Sequence, residues 1–181
     1  MDRKLFFEEV SAEVDNLIAR AEAFVGLDSA AINKVTPAHD WSLGQIFNHL
    51  VKADLNATQR LETALASGSG VNDSDARHTM LAKFILGGML RPNVPVPPAF
   101  EPEKRQYDHS VVEQYVANLR KVKAMLPRAM TADLAKVRVQ SDGAKFIKWN
   151  GFDVLMIVCK HGNRHLNQAE AVHRVLSGTK V

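Results

Sequence analysis

The stretch WSLGQIFNHL, residues 41–50, contains the clearest helix start in the sequence. Ser42 and Gln45 have the Ser-x-x-Gln spacing of a capping box, in which each side chain binds the backbone N–H of the other residue. Trp41 precedes the cap and Ile46 lies four residues after it, which is the spacing of a hydrophobic staple. These two local motifs predict a long helix that starts at about residue 43.

Apolar residues continue this helix at three- and four-residue spacing from Ile46 to Leu65, the period of an amphipathic helix. His49 lies inside the apolar stripe. The same period predicts three further long helices, over residues 2–25, 110–126 and 153–176. Ser110 and Glu113 have the spacing of a second capping box, and Pro127 is expected to end the helix that they begin.

Four long helices predict an all-α fold, a four-helix bundle. The connection between the second and third helices, residues 67–109, is long enough to cross the bundle and leave these two helices parallel. The other two connections suit antiparallel neighbours, so the predicted order is up-down-down-up. The sequence has no internal repeat, and residues 1–181 are interpreted as a single domain.

The connections carry weaker signals. Residues 27–40 are expected to form a plain connection, and residues 80–89 an extra short amphipathic helix that ends at Arg91-Pro92. The segment 92–102 is a Pro-rich loop that must be extended or irregular. For residues 128–151, which include an Asp142-Gly143 turn signal, the sequence leaves open whether a short strand is present.

Composition excludes several classes of protein. The 23 Lys and Arg residues are scattered among 20 Asp and Glu residues, which argues against nucleic acid as a partner. No window approaches the ~18 uninterrupted apolar residues of a membrane span, and acidic residues interrupt the N-terminal region where a signal peptide would be apolar. The single cysteine, Cys159, excludes an intrachain disulfide and is expected to be a small core residue. We therefore expect a cytoplasmic protein.

Three of the seven histidines lie on predicted apolar stripes. His161 and His165 are four residues apart, so they share one helix face, and His49 is the obvious third donor from another helix. Three neutral imidazoles suit a divalent ion such as zinc, nickel, iron or copper and leave a coordination position open. A buried histidine often bonds a carbonyl instead, so spacing alone leaves both interpretations open.

The motif at residues 41–50, together with HGNRHLNQ at residues 161–168, resembles the DinB/YfiT-like metalloenzyme family. The family pattern is W-S-x-x-x-[apolar]-x-x-H-[apolar] at the start of the second helix and H-x-x-x-H-x-x-Q in the fourth. The resemblance implies an up-down-down-up bundle and a metal site, usually nickel or zinc, with His49, His161 and His165 as ligands. Characterised relatives include metal-dependent thiol S-transferases and a thiol-dependent maleylpyruvate isomerase.

Residues beside these motifs have two interpretations each. Gln168 could orient a ligand or metal-bound water, or simply end the stripe. Arg164 could bind a substrate carboxylate or form a solvated salt bridge. Gly162, unfavourable in a helix interior, could permit close approach of another element or loosen the site. The remaining histidines are predicted to lie in loops or caps facing solvent (His39, His78, His109) or at the edge of the bundle (His173).

The sequence therefore favours a thiol-dependent S-transferase acting on a small electrophilic substrate with a low-molecular-weight thiol. A metal-dependent hydrolase is the alternative, although no carboxylate stands at a motif position to act as general base. A non-catalytic, metal-binding stress-response module is a further alternative. A homodimer is possible for a bundle of this size, and the apolar side of the helix at 80–89 could roof the metal pocket, form a dimer face or pack in the core.

Overall fold

The computed structural model describes residues 1–68, 70–71, 75–89 and 95–178. Most of these residues are helical, as the all-α prediction requires. The helices are α1 (Arg3–Glu22), α2 (Ser29–Asn33), α3 (Leu43–Ala66), α4 (Met80–Met89), α5 (Ser110–Thr131) and α6 (Gly151–Leu176), with a 3-10 turn at Pro98–Phe100. Two short strands, β1 (Val139–Gln140) and β2 (Lys148–Trp149), pair antiparallel.

The four long helices α1, α3, α5 and α6 form the body of the fold. Helix α1 packs against α5 and α6, and α3 packs against the same two helices. The largest fully buried side chains between them are mostly aromatic and branched apolar residues: Phe6, Leu17, Phe47, Leu50, Tyr115 and Phe152. Because α3 and α6 lie side by side, the stripe that carries His49 faces the stripe that carries His161 and His165.

The predicted start of α3 is confirmed. Ser42 is the N-cap, its Oγ accepts the Gln45 N–H at 3.3 Å, and the Ser42 N–H donates to Gln45 Oε1 at 3.0 Å. Helix α1 is shorter than the predicted 2–25, since Asp2 is its N-cap and the helix ends at Glu22. The predictions for the two ends of α5 are wrong.

At the N-terminus of α5, the N-cap is His109, without a side-chain bond, and Ser110 is already helical. The Ser110 N–H donates to Asp108 Oδ1 at 2.9 Å, so Asp108 provides the local acceptor that the capping box assigned to Ser110. The side chain that accepts a backbone N–H at the start of α5 is therefore that of Asp108, two residues before the predicted Ser110.

At its C-terminus, α5 continues through Pro127 to Thr131. The buried Arg3 side chain explains this extension, because its guanidinium donates to the carbonyls at the helix end: Ala129 (3.1 Å), Met130 (2.6 Å) and Ala132 (2.5 Å). Cationic donors at these otherwise unpaired carbonyls stabilise a helix terminus. The donor is 124 positions before the proline, so local sequence could not reveal it.

The connections also differ from prediction in places. Residues 27–40 contain helix α2, because Asp28 caps it by accepting the Ala31 N–H and Ile32 is fully buried. Helix α6 begins two residues earlier than predicted, at Gly151, where Asn150 and Asp153 form an unforeseen capping box. The pairing of β1 with β2, with Val139 opposite Trp149, answers the question left open for residues 128–151.

Helix α4 occupies the predicted residues 80–89. The Ile85 side chain packs partly buried against the core, whereas Met80 and Phe84 are 81% and 80% exposed. The predicted end of this helix at Arg91-Pro92 lies outside the described residues. None of the described helices combines the length and apolar character needed to cross a lipid bilayer.

Candidate metal centre

Three histidine rings from two helices converge between α3 and α6. The ring centroids are 4.9 Å apart for His49 and His161, and 4.5 Å apart for His165 and each of the others. One ring nitrogen of each residue lies within 4.8 Å of the other two, and all three residues are buried. The three histidines that the sequence singled out are thus brought together, one from α3 and two from successive turns of α6.

Hydrogen bonds fix the protonation pattern of two rings. His49 Nδ1 lies 2.8 Å from the Phe100 carbonyl, and His161 Nδ1 lies 3.0 Å from Asp54 Oδ1. Since both partners are acceptors, each Nδ1 carries a proton, and each Nε2 of the neutral ring has a free lone pair.

The two Nε2 atoms, of His49 and His161, face each other at 3.0 Å. At this distance the two atoms share a hydrogen bond when one of them carries a proton, and they direct two lone pairs at one point when neither does. A cation between the rings would be bound by both lone pairs, so the donor set fits a metal ion.

Burial keeps His49 and His165 neutral. Burial, together with the positive charge that His161 can carry, lowers the pKa of His49 to about 3. Burial likewise lowers the pKa of His165 to about 2, with His161 and His49 contributing. Neutral imidazole is the form that binds metal ions, so at neutral pH these rings need no deprotonation before binding.

Asp54 is the site residue that the sequence analysis missed. It is 1% exposed, lies on α3, and accepts the His161 Nδ1–H; its second oxygen, Oδ2, has no hydrogen-bond partner among the described residues. A carboxylate behind a ligating histidine fixes the ring and raises its basicity. A signal was available, because Asp54 and Thr58 interrupt the buried apolar positions of α3 between Leu50 and Leu61.

The Phe100 carbonyl, which binds His49, belongs to the C-terminal end of the Pro-rich segment 92–102. Side chains of α3 hold that segment in place: Asn48 Oδ1 accepts the Glu103 N–H at 3.0 Å, and Lys52 Nζ donates to the Glu101 carbonyl at 2.6 Å. The orientation of His49 therefore depends on a loop that is distant in sequence and anchored to the same helix.

Trp41 covers one side of the histidine cluster. Its ring centroid is 5.0 Å from that of His49, and it stacks on His165 at 6.3 Å with an interplanar angle of 17°. The backbone N–H of Trp41 donates to His39 Nδ1 at 3.0 Å, so His39 has a protein partner in addition to solvent. The tryptophan that the sequence motif placed before the helix cap thus also shields two imidazoles from water.

The supporting residues Gln168 and Arg164 lie close to the cluster. The Gln168 side chain favours protonation of His165, but neither His165 Nδ1 nor Gln168 Oε1 makes a hydrogen bond of normal geometry with the described residues. Arg164 is half-buried and lines a cavity beside the three rings. Arg164 also interacts with another part of the protein. Their roles in orienting a ligand or binding a carboxylate stay predictions.

Gly162 permits close helix packing, which confirms one of its two interpretations. A Cβ atom at this position would lie 2.5 Å from Tyr115 Oη and 2.9 Å from Leu17 Cδ1. Helix α6 therefore approaches α5 and α1 more closely than any side chain would allow, directly beside His161.

We expect Gly162→Ala to lower the free energy of unfolding by about 1–2 kcal/mol, because displacing Tyr115 outweighs the better helix propensity of alanine. Urea denaturation measures this. The matched control is Gly87→Ala in α4, where a Cβ meets nothing within 4 Å, and there we expect no loss of stability. Adding Tyr115→Phe to Gly162→Ala should restore part of the loss. Wild-type stability of Gly162→Ala would contradict the packing argument.

The remaining histidines and the cysteine lie outside the cluster. The prediction that His78 faces solvent is wrong, because its Nδ1 lies 3.1 Å from Oδ1 of the buried Asp153. His109 is exposed, and His173 contacts Phe24 at the edge of the bundle. Cys159 is buried as expected, and burial raises its pKa to about 12, so it is not a nucleophile at neutral pH.

A cavity of about 270 Å³ opens beside the three rings. Its walls come from α3, α6, α4, the Pro-rich segment and the loop between β1 and β2, residues 141–147, which we call the hairpin loop. The elements between the long helices thus help to enclose the site. Ile85 of α4 lines the cavity and also packs against the core, whereas the exposed Phe84 takes no part. One residue of this helix therefore borders the pocket, and a role for its apolar side as a roof or a dimer face stays a prediction.

A helical bundle with a cluster of three buried histidines beside a cavity defines a class of candidate metalloproteins. The sequence model of the DinB superfamily matches residues 12–169, and the chain belongs to that superfamily. No curated protein and no solved structure matched the sequence.

Proposed function

We propose that this protein is a metal-dependent thiol S-transferase, which joins a low-molecular-weight thiol to a small electrophilic substrate. His49, His161 and His165 would hold a divalent cation, nickel or zinc. The observation that carries the proposal is the pair of facing Nε2 atoms of His49 and His161, 3.0 Å apart beside a cavity.

The side chains around the cluster each have a part in the proposed reaction. A divalent cation held by His49, His161 and His165 would keep its charge and would supply the Lewis acidity that lowers the pKa of a thiol. Asp54 and the Phe100 carbonyl hold two rings in position, and Trp41 excludes water from one side. The thiol sulfur then bonds to the electrophilic carbon, the leaving group departs with the electrons of the broken bond, and the thiol proton passes to solvent.

Hydrolysis by activated water is the second candidate, and Asp54 favours it. Asp54 lines the same cavity, and its buried Oδ2 atom has no hydrogen-bond partner in the described part of the chain, so a carboxylate without a second partner lies near the rings. The other oxygen of Asp54 is committed to His161, which makes this residue a better positioning residue than a general base.

Comparing turnover with and without a thiol distinguishes the S-transferase from the hydrolase. The purified, untagged protein is loaded with zinc or nickel and given 1-chloro-2,4-dinitrobenzene with glutathione or cysteine, and in parallel 4-nitrophenyl acetate without a thiol. We expect thiol-dependent release of chloride that is lost in His161→Ala. Ester hydrolysis without thiol would favour the hydrolase. Metal-dependent thermal stability with no turnover would contradict both and favour a non-catalytic, metal-binding stress-response module.

Several finer expectations belong to this proposal. The up-down-down-up order of the long helices, a homodimer and a cytoplasmic location are carried over from the sequence and the family resemblance. We also propose that nucleic acid is not a partner, since the basic residues are scattered among acidic ones.

A further inference from the structure

We propose that the cavity beside the three histidines binds a neutral, largely apolar small molecule, of the size of one or two aromatic rings, as the electrophilic substrate. The role as substrate rests on the proposed function, whereas the class of ligand is inferred from the cavity itself.

Small side chains on α3 create the space. Ala53 and Ala57 line the cavity, four and eight residues after His49, so they follow His49 along one face of the helix. Larger apolar side chains from other elements line the same cavity: Ile85 of α4, Phe100, Ile147 and Ile157. The surface that the cavity offers to a ligand is therefore mostly carbon.

The charged side chains that line the cavity already have partners. Asp54 accepts the His161 Nδ1–H, and Asp142 forms an ion pair of 2.6 Å with Arg60. Arg164 is also engaged in an interaction. A ligand carboxylate on the apolar walls, away from the three histidines, would thus lose water without gaining an unpaired cation among the described residues, which is unfavourable. A neutral ligand avoids this penalty.

The hairpin loop closes the cavity against Phe100. A Cβ on Gly143 would lie 2.7 Å from Phe100 Cε2, so the loop backbone packs directly on this ring. The backbone carbonyl of Phe100 accepts a hydrogen bond from His49 Nδ1. Phe100 is therefore both a wall for the ligand and a support for the proposed metal ligand, which places the bound molecule next to the reacting position.

The size of the cavity limits the ligand. Its volume, about 270 Å³, lies just below the roughly 300–1,000 Å³ typical of clefts for drug-sized molecules. This leaves room for a small aromatic molecule and not for a large polar conjugate. The thiol must then approach from the open side of the cavity.

The test uses prodan (6-propionyl-2-dimethylaminonaphthalene), a neutral dye with two fused aromatic rings whose fluorescence rises in apolar surroundings. We expect saturable binding of one dye to wild-type protein and at least a tenfold higher Kd in Ala57→Phe. The matched control is Ala66→Phe, at an exposed position of the same helix, where Kd should not change. Circular dichroism checks folding, and Ala53→Leu is the second variant if Ala57→Phe is unfolded. Unchanged dye binding in a folded cavity variant would overturn the inference.

Two further measurements complete this test: competition for the dye site, and dye binding with and without metal. 1-Chloro-2,4-dinitrobenzene should displace the dye and the dianion maleate should not; displacement by maleate alone would overturn the inference. Binding is measured on zinc-loaded and chelator-treated protein. Dye binding without metal uptake would support the ligand class while the proposed function fails, and metal uptake without dye binding would overturn the ligand class alone.

Discussion

Replacing His161 with alanine is expected to abolish stoichiometric uptake of zinc and nickel. Wild-type protein should retain about one ion per chain after gel filtration, since three neutral nitrogen donors converge within 4.8 Å. The variant keeps two donors and leaves Asp54 without its hydrogen-bond donor. Because removing even an outer partner of a ligand weakens metal binding roughly 10–100-fold, losing the ligand itself should raise Kd by more than that. Elemental analysis of the untagged protein measures the metal content.

Two variants make this experiment specific. His109→Ala removes a histidine that is exposed and remote from the cluster, and it should bind metal as the wild type does. Asp54→Asn keeps the three rings but removes the carboxylate charge behind His161, and it should weaken binding by about 10–100-fold. If the wild type takes up neither metal, or His161→Ala retains one equivalent, the three-histidine site is wrong.

The metal-free protein is expected to lose stability steeply as the pH falls below about 6.5. In the folded chain the pKa of His49 is about 3 and that of His165 about 2, whereas in the unfolded chain both titrate near 6.5. Between these values the unfolded chain binds protons that the folded chain excludes. Stability is therefore fully present above pH 6.5 and decreases toward the folded pKa values, by about 1.4 kcal/mol per pH unit and ring.

Urea denaturation of chelator-treated protein, in steps from about pH 7.5 to about pH 4.5, measures this dependence. Removing one ring with His165→Gln should reduce the slope by about half over the upper part of this range, where few carboxylates titrate. His109→Gln, at an exposed position, should leave the slope unchanged. Parallel curves for wild type and His165→Gln would show that burial of this ring does not depress its pKa.

Much of the site could be predicted because its signals are local. The capping box of Ser42 and Gln45 is completed within one turn of helix, and His161 and His165 share a face by helical geometry alone. The same local logic failed for Ser110 and Pro127. In that helix a neighbouring aspartate provides the N-terminal acceptor, and the distant Arg3 binds the last carbonyls.

The helical character of the chain, the start of α3 and the pairing of His161 with His165 could be predicted, because they depend on periodicity and on contacts within one or two helical turns. The surroundings of the rings could not be predicted in this way. Asp54 reaches His161 across 107 positions of the chain, and Phe100 reaches His49 across 51. Such partners depend on how the helices and loops pack, since a carboxylate or carbonyl carries no local mark of the ring that it will bind.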